Sequence, residues 1–182
     1  MEFSRLECHP SIAAPPIEVD AIALILATDA LSFRYRVRGD IRQLRIPNPG
    51  PKARTDGLWR HTCFEAFVKP KNAERYFELN FSPSSAWAAY SFDSYRLGMQ
   101  PLHAMKAPVI RCHAGDDTFT LEATVTMKSL RFDSAIGLAA VIEDERGAVS
   151  HWALAHPQPK PDFHDAAGWT GGFRRFIAEA RP

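Results

Sequence analysis

Apolar and polar residues alternate with a period of two along much of this chain, and that alternation predicts β-strands. In LSFRYRVRG, Phe33, Tyr35 and Val37 take one side and Arg34, Arg36 and Arg38 the other, so one face packs and the other is wetted. In TFTLEATVTM, Phe119, Leu121, Ala123 and Val125 oppose Glu122 and a row of threonines. The Ala-Gly-Asp-Asp run at 114–117 turns PVIRCH back into that strand as a hairpin. A second hairpin is expected from residues 135–142 and 149–155, about the turn at 143–147. Residues 21–26 and 41–46 read as further strands, and MKSLRF at 127–132 as one helical turn. Fourteen prolines and ten glycines leave little room for long helices. With three more strands between residues 56 and 97, the count reaches about nine or ten, which suggests an antiparallel sandwich or barrel. The longest irregular segments, 47–57 and 157–172, are long enough to be functional loops.

The block from 56 to 97 carries the most chemistry. It reads DGLWRHTCFEAFV, a short charged gap, then YFELNFSPSSAWAAYSFDSYRL. In its first strand Phe64, Ala66 and Val68 share one face, and His61, Cys63, Glu65 and Phe67 the other. In the second, Phe77, Leu79 and Phe81 point inward, opposite Tyr76, Glu78 and Asn80. In the third, Ala88, Tyr90 and Phe92 are assigned to the core, and Trp87, Ser91 and Asp93 to the far side. If the three strands are neighbours, Glu65, Asn80 and Trp87 share a face. A sugar suits such a face. Aromatic rings cover its C–H surfaces, while carboxylates, amides and guanidinium groups bond its hydroxyls. Trp59, Trp87 and Trp152 could supply the rings; Glu65, Asn80 and Arg96 could supply the polar groups. A carboxylate in mid-strand is the least ordinary of these, because a buried charge needs a partner.

Composition narrows the classes. With 182 residues, 46% apolar and 24% charged, the chain fits one soluble domain spanning 1–182. A net charge of +1 gives no overall pull toward nucleic acid or an anionic membrane. The local excess between Leu31 and Arg60, eight Lys or Arg against two Asp, reads as a solvated strand face. Cys8, Cys63 and Cys112 are odd in number and show no CxxC pair, which speaks against a disulfide framework or structural zinc. The start MEFSRLECHP lacks the basic and apolar regions of a signal peptide, so a cytoplasmic location is expected.

DGLWRHTCFEAFV, ELNFSPSSAWAAYSFDSYRLGM and SHWALAHPQPKPDFH together resemble the DOMON-like proteins related to family 9 carbohydrate-binding modules. The likeness runs from about Ala21 to Phe176. It implies a β-sandwich of jelly-roll type. In the carbohydrate-binding relatives two tryptophans sandwich a sugar, and polar side chains including a glutamate bind its hydroxyls. By that resemblance Trp59 and Glu65, six residues apart, correspond to the first tryptophan and the glutamate, with Trp152 and Trp169 both candidates for the second. Other DOMON relatives bind haem through His and Met, an alternative for which Met99, Met105, Met127, His103 and His113 are available.

The loop HWALAHPQPKPDFHD holds His151, His156 and His164 beside Lys160, Asp162 and Asp165. Its spacing is not that of a helical metal motif, and it reads better as a rim to the Trp59–Glu65 site, contributed by His156, Lys160 and Asp162. An enzyme working through this loop is a third reading. No serine elbow or glycine-rich phosphate loop is present. The expectation is a non-catalytic module without cofactor or metal. Its partner would be a small sugar or sugar-bearing metabolite, not nucleic acid or membrane.

Overall fold

The computed structural model describes residues 2–127 and 133–175. Among them run twelve strands: β1 (Ser4–Cys8), β2 (Ile17–Ala27), β3 (Ala30–Gly39), β4 (Cys63–Lys69), β5 (Tyr76–Phe81) and β6 (Trp87–Phe92). They continue with β7 (Gln100–Pro101), β8 (Val109–Ala114), β9 (Thr118–Thr126), β10 (Ala135–Glu143), β11 (Val149–Ala153) and β12 (Arg174–Arg175). One continuous path, β7-β6-β5-β4-β10-β11-β1-β2-β3-β9-β8, links all but β12, which lies parallel beside β2. Every pairing along the path is antiparallel.

The path folds over on itself at β1. Ser4, Arg5 and Leu6 pair with β2, while Glu7 and Cys8 pair with β11. One short strand thus belongs to both halves, and the halves face each other as a jelly-roll-like sandwich. Rings meet across the gap: Tyr35 on Phe64 at 5.0 Å, Phe33 on Phe81 at 5.8 Å, and Phe64 on Phe119 at 6.0 Å between centroids. Tyr35 also donates its hydroxyl to the Glu65 carbonyl oxygen at 2.7 Å, so a buried phenol keeps its hydrogen bond. The inner faces are almost wholly apolar, as sheet-on-sheet packing requires.

The expected strands 31–39 and 118–127 and both hairpins appear as β3, β9, β8–β9 and β10–β11. Residues 41–46 differ. Ile41–Gln43 form a single 3-10 turn, closed by backbone bonds from Gln43 N–H to the Asp40 carbonyl oxygen and from Leu44 N–H to that of Ile41, both at 3.1 Å, while the Asp40 carboxylate accepts from the Arg42 and Gln43 side chains. The chain reaches that turn through Gly39, at φ 128°, where a Cβ would stand 2.5 Å from the Pro16 carbonyl oxygen. The helical turn expected at 127–132 lies, but for Met127, outside the described residues. The arginines of β3 meet carboxylates on neighbouring strands: Arg34 with Glu122, Arg36 with Asp20, and Arg38 with Glu18 and Asp20. No helix among the described residues is long and apolar enough to cross a membrane.

Candidate functional site

The outer face of the β6-β5-β4-β10-β11 half is not open to water. Residues 157–172 cross it as a strap, pinned by a second apolar cluster that includes Phe67, Tyr76, Phe92 and Trp169. Phe67 stacks on Trp169 at 5.6 Å, and Tyr76 lies parallel to Phe92 at 4.7 Å. Trp169 fits because Gly137 lies beneath it; a Cβ there would come within 2.3 Å of the indole. The indole N–H donates to the Phe163 carbonyl oxygen at 2.8 Å and so shapes the strap itself.

Between strap and sheet lies a cleft of 330 Å³. Its floor is formed by Glu65 on β4, Glu78 on β5, Val141 on β10 and His151 on β11. Phe163 and His164 of the strap wall one side, and Phe92 adds an apolar flank. Trp59, Arg96 and Met99 stand at the mouth. Trp59 follows Gly57, whose φ of 75° starts a one-turn 3-10 helix at Leu58–Arg60. The indole meets the Tyr90 ring edge-on at 6.2 Å and is 37% exposed.

The polar floor is unusual for its burial. Glu65 is 3% and Glu78 4% exposed, on adjacent strands and diagonal to one another. Oε1 of Glu65 is buried and has no hydrogen-bond partner. Burial, reinforced by the Glu78 carboxylate, pushes the Glu65 carboxyl well above the usual range, so it holds its proton. Burial also raises Glu78, but less, because Asn80 Nδ2 donates to its Oε1 at 2.6 Å and Arg96 is near. His164 is pushed down to about 4 by burial, with the Arg96 charge adding to it. Tyr76 accepts from the Arg96 backbone N–H at 3.2 Å and shares a 2.7 Å bond with Nδ1 of His164. Nε2 of the same ring lies 3.7 Å from Glu78 Oε2. His151 is lowered too, by burial and by His9 and His156.

Of the residues expected at the site, Trp59, Glu65 and Arg96 line this cleft together. Asn80 is fully buried and orients Glu78 from beneath. Asp162 clasps the rim, accepting from Tyr95 and, at 2.8 Å, from Arg96. Burial works to raise its carboxyl, but these hydrogen bonds prevail and hold it below the usual range. His156 lies outside the cleft, bonded through Nε2 to the Glu7 carbonyl oxygen at 2.8 Å, and Lys160 is exposed away from it.

Two tryptophans need correction. Trp87 is 5% exposed and packs into the inter-sheet core opposite Phe81, with the Arg54 guanidinium 4.2 Å from its ring centre. Ala88, Tyr90 and Phe92 take the outer face instead. The strand WAAYSF is apolar at both parities and buried on both faces, so alternation alone cannot say which side is inside. Trp152 is likewise in the core, where its indole N–H donates to Ser150 Oγ; its neighbour His151 faces the cleft. Of the haem candidates, Met105 and Met127 are core residues, and His103 and His113 are exposed away from the cleft. Sequence reasoning did not select Glu78, Phe92, His151 or His164 for the sugar site. Glu78 carried a usable signal, since it stands two residues before Asn80 on the same face.

No protein-family model matches the chain, and no curated protein does. Solved structures do. A candidate carbohydrate-binding protein from Bacteroides uniformis aligns with 96% of this chain and 86% of its own, at a TM-score of 0.61 and 14% identity. A family 9 carbohydrate-binding module from Caldicellulosiruptor kristjanssonii in complex with cellotriose covers 100% of this chain and 88% of its own, at 0.59 and 10% identity. A family 9 module from the same organism in complex with glucose matches at 0.54 and 10% identity, over 93% and 83% of the two chains. The chain shares its fold with family 9 carbohydrate-binding modules.

Proposed function

We propose that this chain is a non-catalytic binding module for a small neutral carbohydrate, held in the cleft beneath Trp59. The observation that carries the reading is the buried, unpartnered Oε1 of Glu65 on the cleft floor. An unsatisfied buried polar atom is costly, and a ligand that completes it recovers that cost on binding. A protonated carboxyl both donates and accepts, which matches a hydroxyl that does the same. Beside it the exposed indole face of Trp59 suits the C–H face of a sugar ring.

The electrostatics favour a neutral ligand. Glu65 keeps its proton, His164 and His151 are held neutral, and the charge of Arg96 is answered by Asp162. A phosphate or carboxylate would find no unpaired cation on the floor. The volume of 330 Å³ stands at the small end of ligand pockets, roughly 300–1,000 Å³, and suits one sugar ring or a short terminus rather than a long chain. Structural neighbours in complex with cellotriose and with glucose support the same class.

Isothermal titration calorimetry at pH 7 with glucose, cellobiose, cellotriose and glucose 6-phosphate tests the reading. The neutral sugars should bind and the phosphate should not. Trp59→Ala should weaken binding at least tenfold, about 1.4 kcal/mol, without lowering the melting temperature appreciably. Absence of heat with every neutral sugar, or unchanged affinity in Trp59→Ala, would overturn it.

A further inference from the structure

The cleft is segregated end to end. Its floor carries the buried carboxyls Glu65 and Glu78 beside the half-buried His151, with half-buried His164 on the wall. Its mouth is exposed and, apart from Arg96, apolar. Five large apolar side chains are exposed among the described residues, and two of them line this cleft. Trp59 and Met99 line the mouth, and Tyr95 and Leu97 belong to the same turn as Arg96 and Met99. Leu97 is the most exposed of the five, at 65%. The fifth, Val109, begins β8 in the other half of the sandwich.

This turn is built, not slack. Asp93 donates its N–H to the Leu97 carbonyl oxygen at 2.9 Å, and Leu97 donates to that of Ser94 at 3.0 Å. Arg96 takes a left-handed φ of 56°, which a side chain adopts at a cost. Gly98, at φ 65°, lets Asp93 close in; a Cβ there would stand 2.1 Å from its Oδ2. Asp162 then ties Tyr95 and Arg96 to the strap. Turn tips ordinarily carry polar residues. From this fixed turn Met99 joins Trp59 on the cleft wall, and the two exposed side chains leave an apolar ledge at its mouth.

We infer that the ligand is an amphiphilic glycoside: a sugar whose ring enters the polar floor and whose apolar aglycone lies on the ledge of Trp59 and Met99. This rests on the sugar reading of the cleft and adds the class of glycoside. A bare sugar would use the floor and leave the ledge in water. An alkyl or aryl group on the outward oxygen would cover it, and burial of even two methylenes brings about a tenfold gain in affinity.

The test compares methyl, n-hexyl and phenyl β-D-glucosides by calorimetry, below the concentration at which the hexyl compound self-associates. The hexyl or phenyl glucoside should bind about tenfold more tightly than the methyl one. Preference for hexyl over phenyl, or the reverse, separates an alkyl from an aryl aglycone. In Met99→Ser, at a cleft-lining position 44% exposed, the ratio of hexyl to methyl affinity should fall toward one. Equal affinities for all three glucosides in the natural protein would overturn the inference and leave the sugar reading standing. A hexyl-to-methyl ratio that persists in Met99→Ser would also overturn it. Failure of all three to bind would remove the sugar reading and this inference together.

Discussion

The five strands β6, β5, β4, β10 and β11 bury both of their faces, on different terms. The inner face meets another sheet, and its aromatic rings interlock with those of β3 and β9. The outer face meets an irregular strap, and there carboxyls and histidines sit among the aromatics. A sheet offers a fully packed partner with no spare hydrogen bonds, so polar groups are excluded from its shadow. A strap leaves gaps, supplies backbone carbonyls and polar side chains, and tolerates an unpaired carboxyl. The candidate site of this protein sits where burial is incomplete, on the reverse of strands whose other side is packed against a second sheet.

Substitutions should separate the two faces. On the inner face, Phe64→Ala removes a ring that meets both Tyr35 and Phe119 and should cost about 3–5 kcal/mol in denaturant unfolding. If it cost no more than a surface change, the inner face would not be the main source of stability. On the outer face, Gly137→Ala drives a methyl into the Trp169 indole and should cost about 1–3 kcal/mol. Its particular sign is a change in tryptophan fluorescence and faster proteolysis within 157–172, before global unfolding. Equal protection of the strap in mutant and natural protein would sink that expectation.

The smallest effect has the opposite sign. Glu65→Gln replaces a carboxyl that must stay protonated, so it should stabilise the fold by about 1 kcal/mol at pH 8. The pH dependence follows from linkage. The folded pKa of Glu65 is raised, so its stabilising share is complete below the unfolded value of about 4.3 and is lost as pH rises through the folded value. The gain from Glu65→Gln should therefore shrink toward nothing near pH 4. His164 works the other way. Its folded pKa is depressed to about 4, so stability falls as pH drops from about 6.5 toward that value. In the natural protein the two slopes oppose each other between pH 4 and 6.5. Melting curves of Glu65→Gln across that range should show a steeper loss on acidification, and a parallel displacement at every pH would contradict this assignment.

The contrast between faces also explains what the sequence disclosed. β3 and β9 were legible because one side of each is solvated, and threonines and arginines mark it. β4, β5 and β6 are buried on both sides, so period-two alternation survives in them but loses its sign. The assignment for β6 was inverted for that reason, and Trp87 with it. Trp59 and Glu65 were found because they are close in sequence and fall either side of a strand start. His151 joins the site through the pairing of β11 with β10, and His164 only once the strap folds back across the sheet, long-range events with no local signature. The stretch at 41–46 failed differently: a 3-10 turn, with Asp40 bonded to the Arg42 and Gln43 side chains, stands where the apolar pattern suggested a strand.

The shared strand β1 has a consequence for how the chain assembles. Residues 4–6 can pair as soon as β2 is made, but residues 7 and 8 must wait for 152 and 153. β1 is thus half-paired until β11 has followed it, with one set of its backbone donors unanswered in the meantime. Contacts of such sequence separation form slowly and reward late. Closure of the sandwich is in this sense a clasp fastened at the end, and the order of events in folding is written into a five-residue strand.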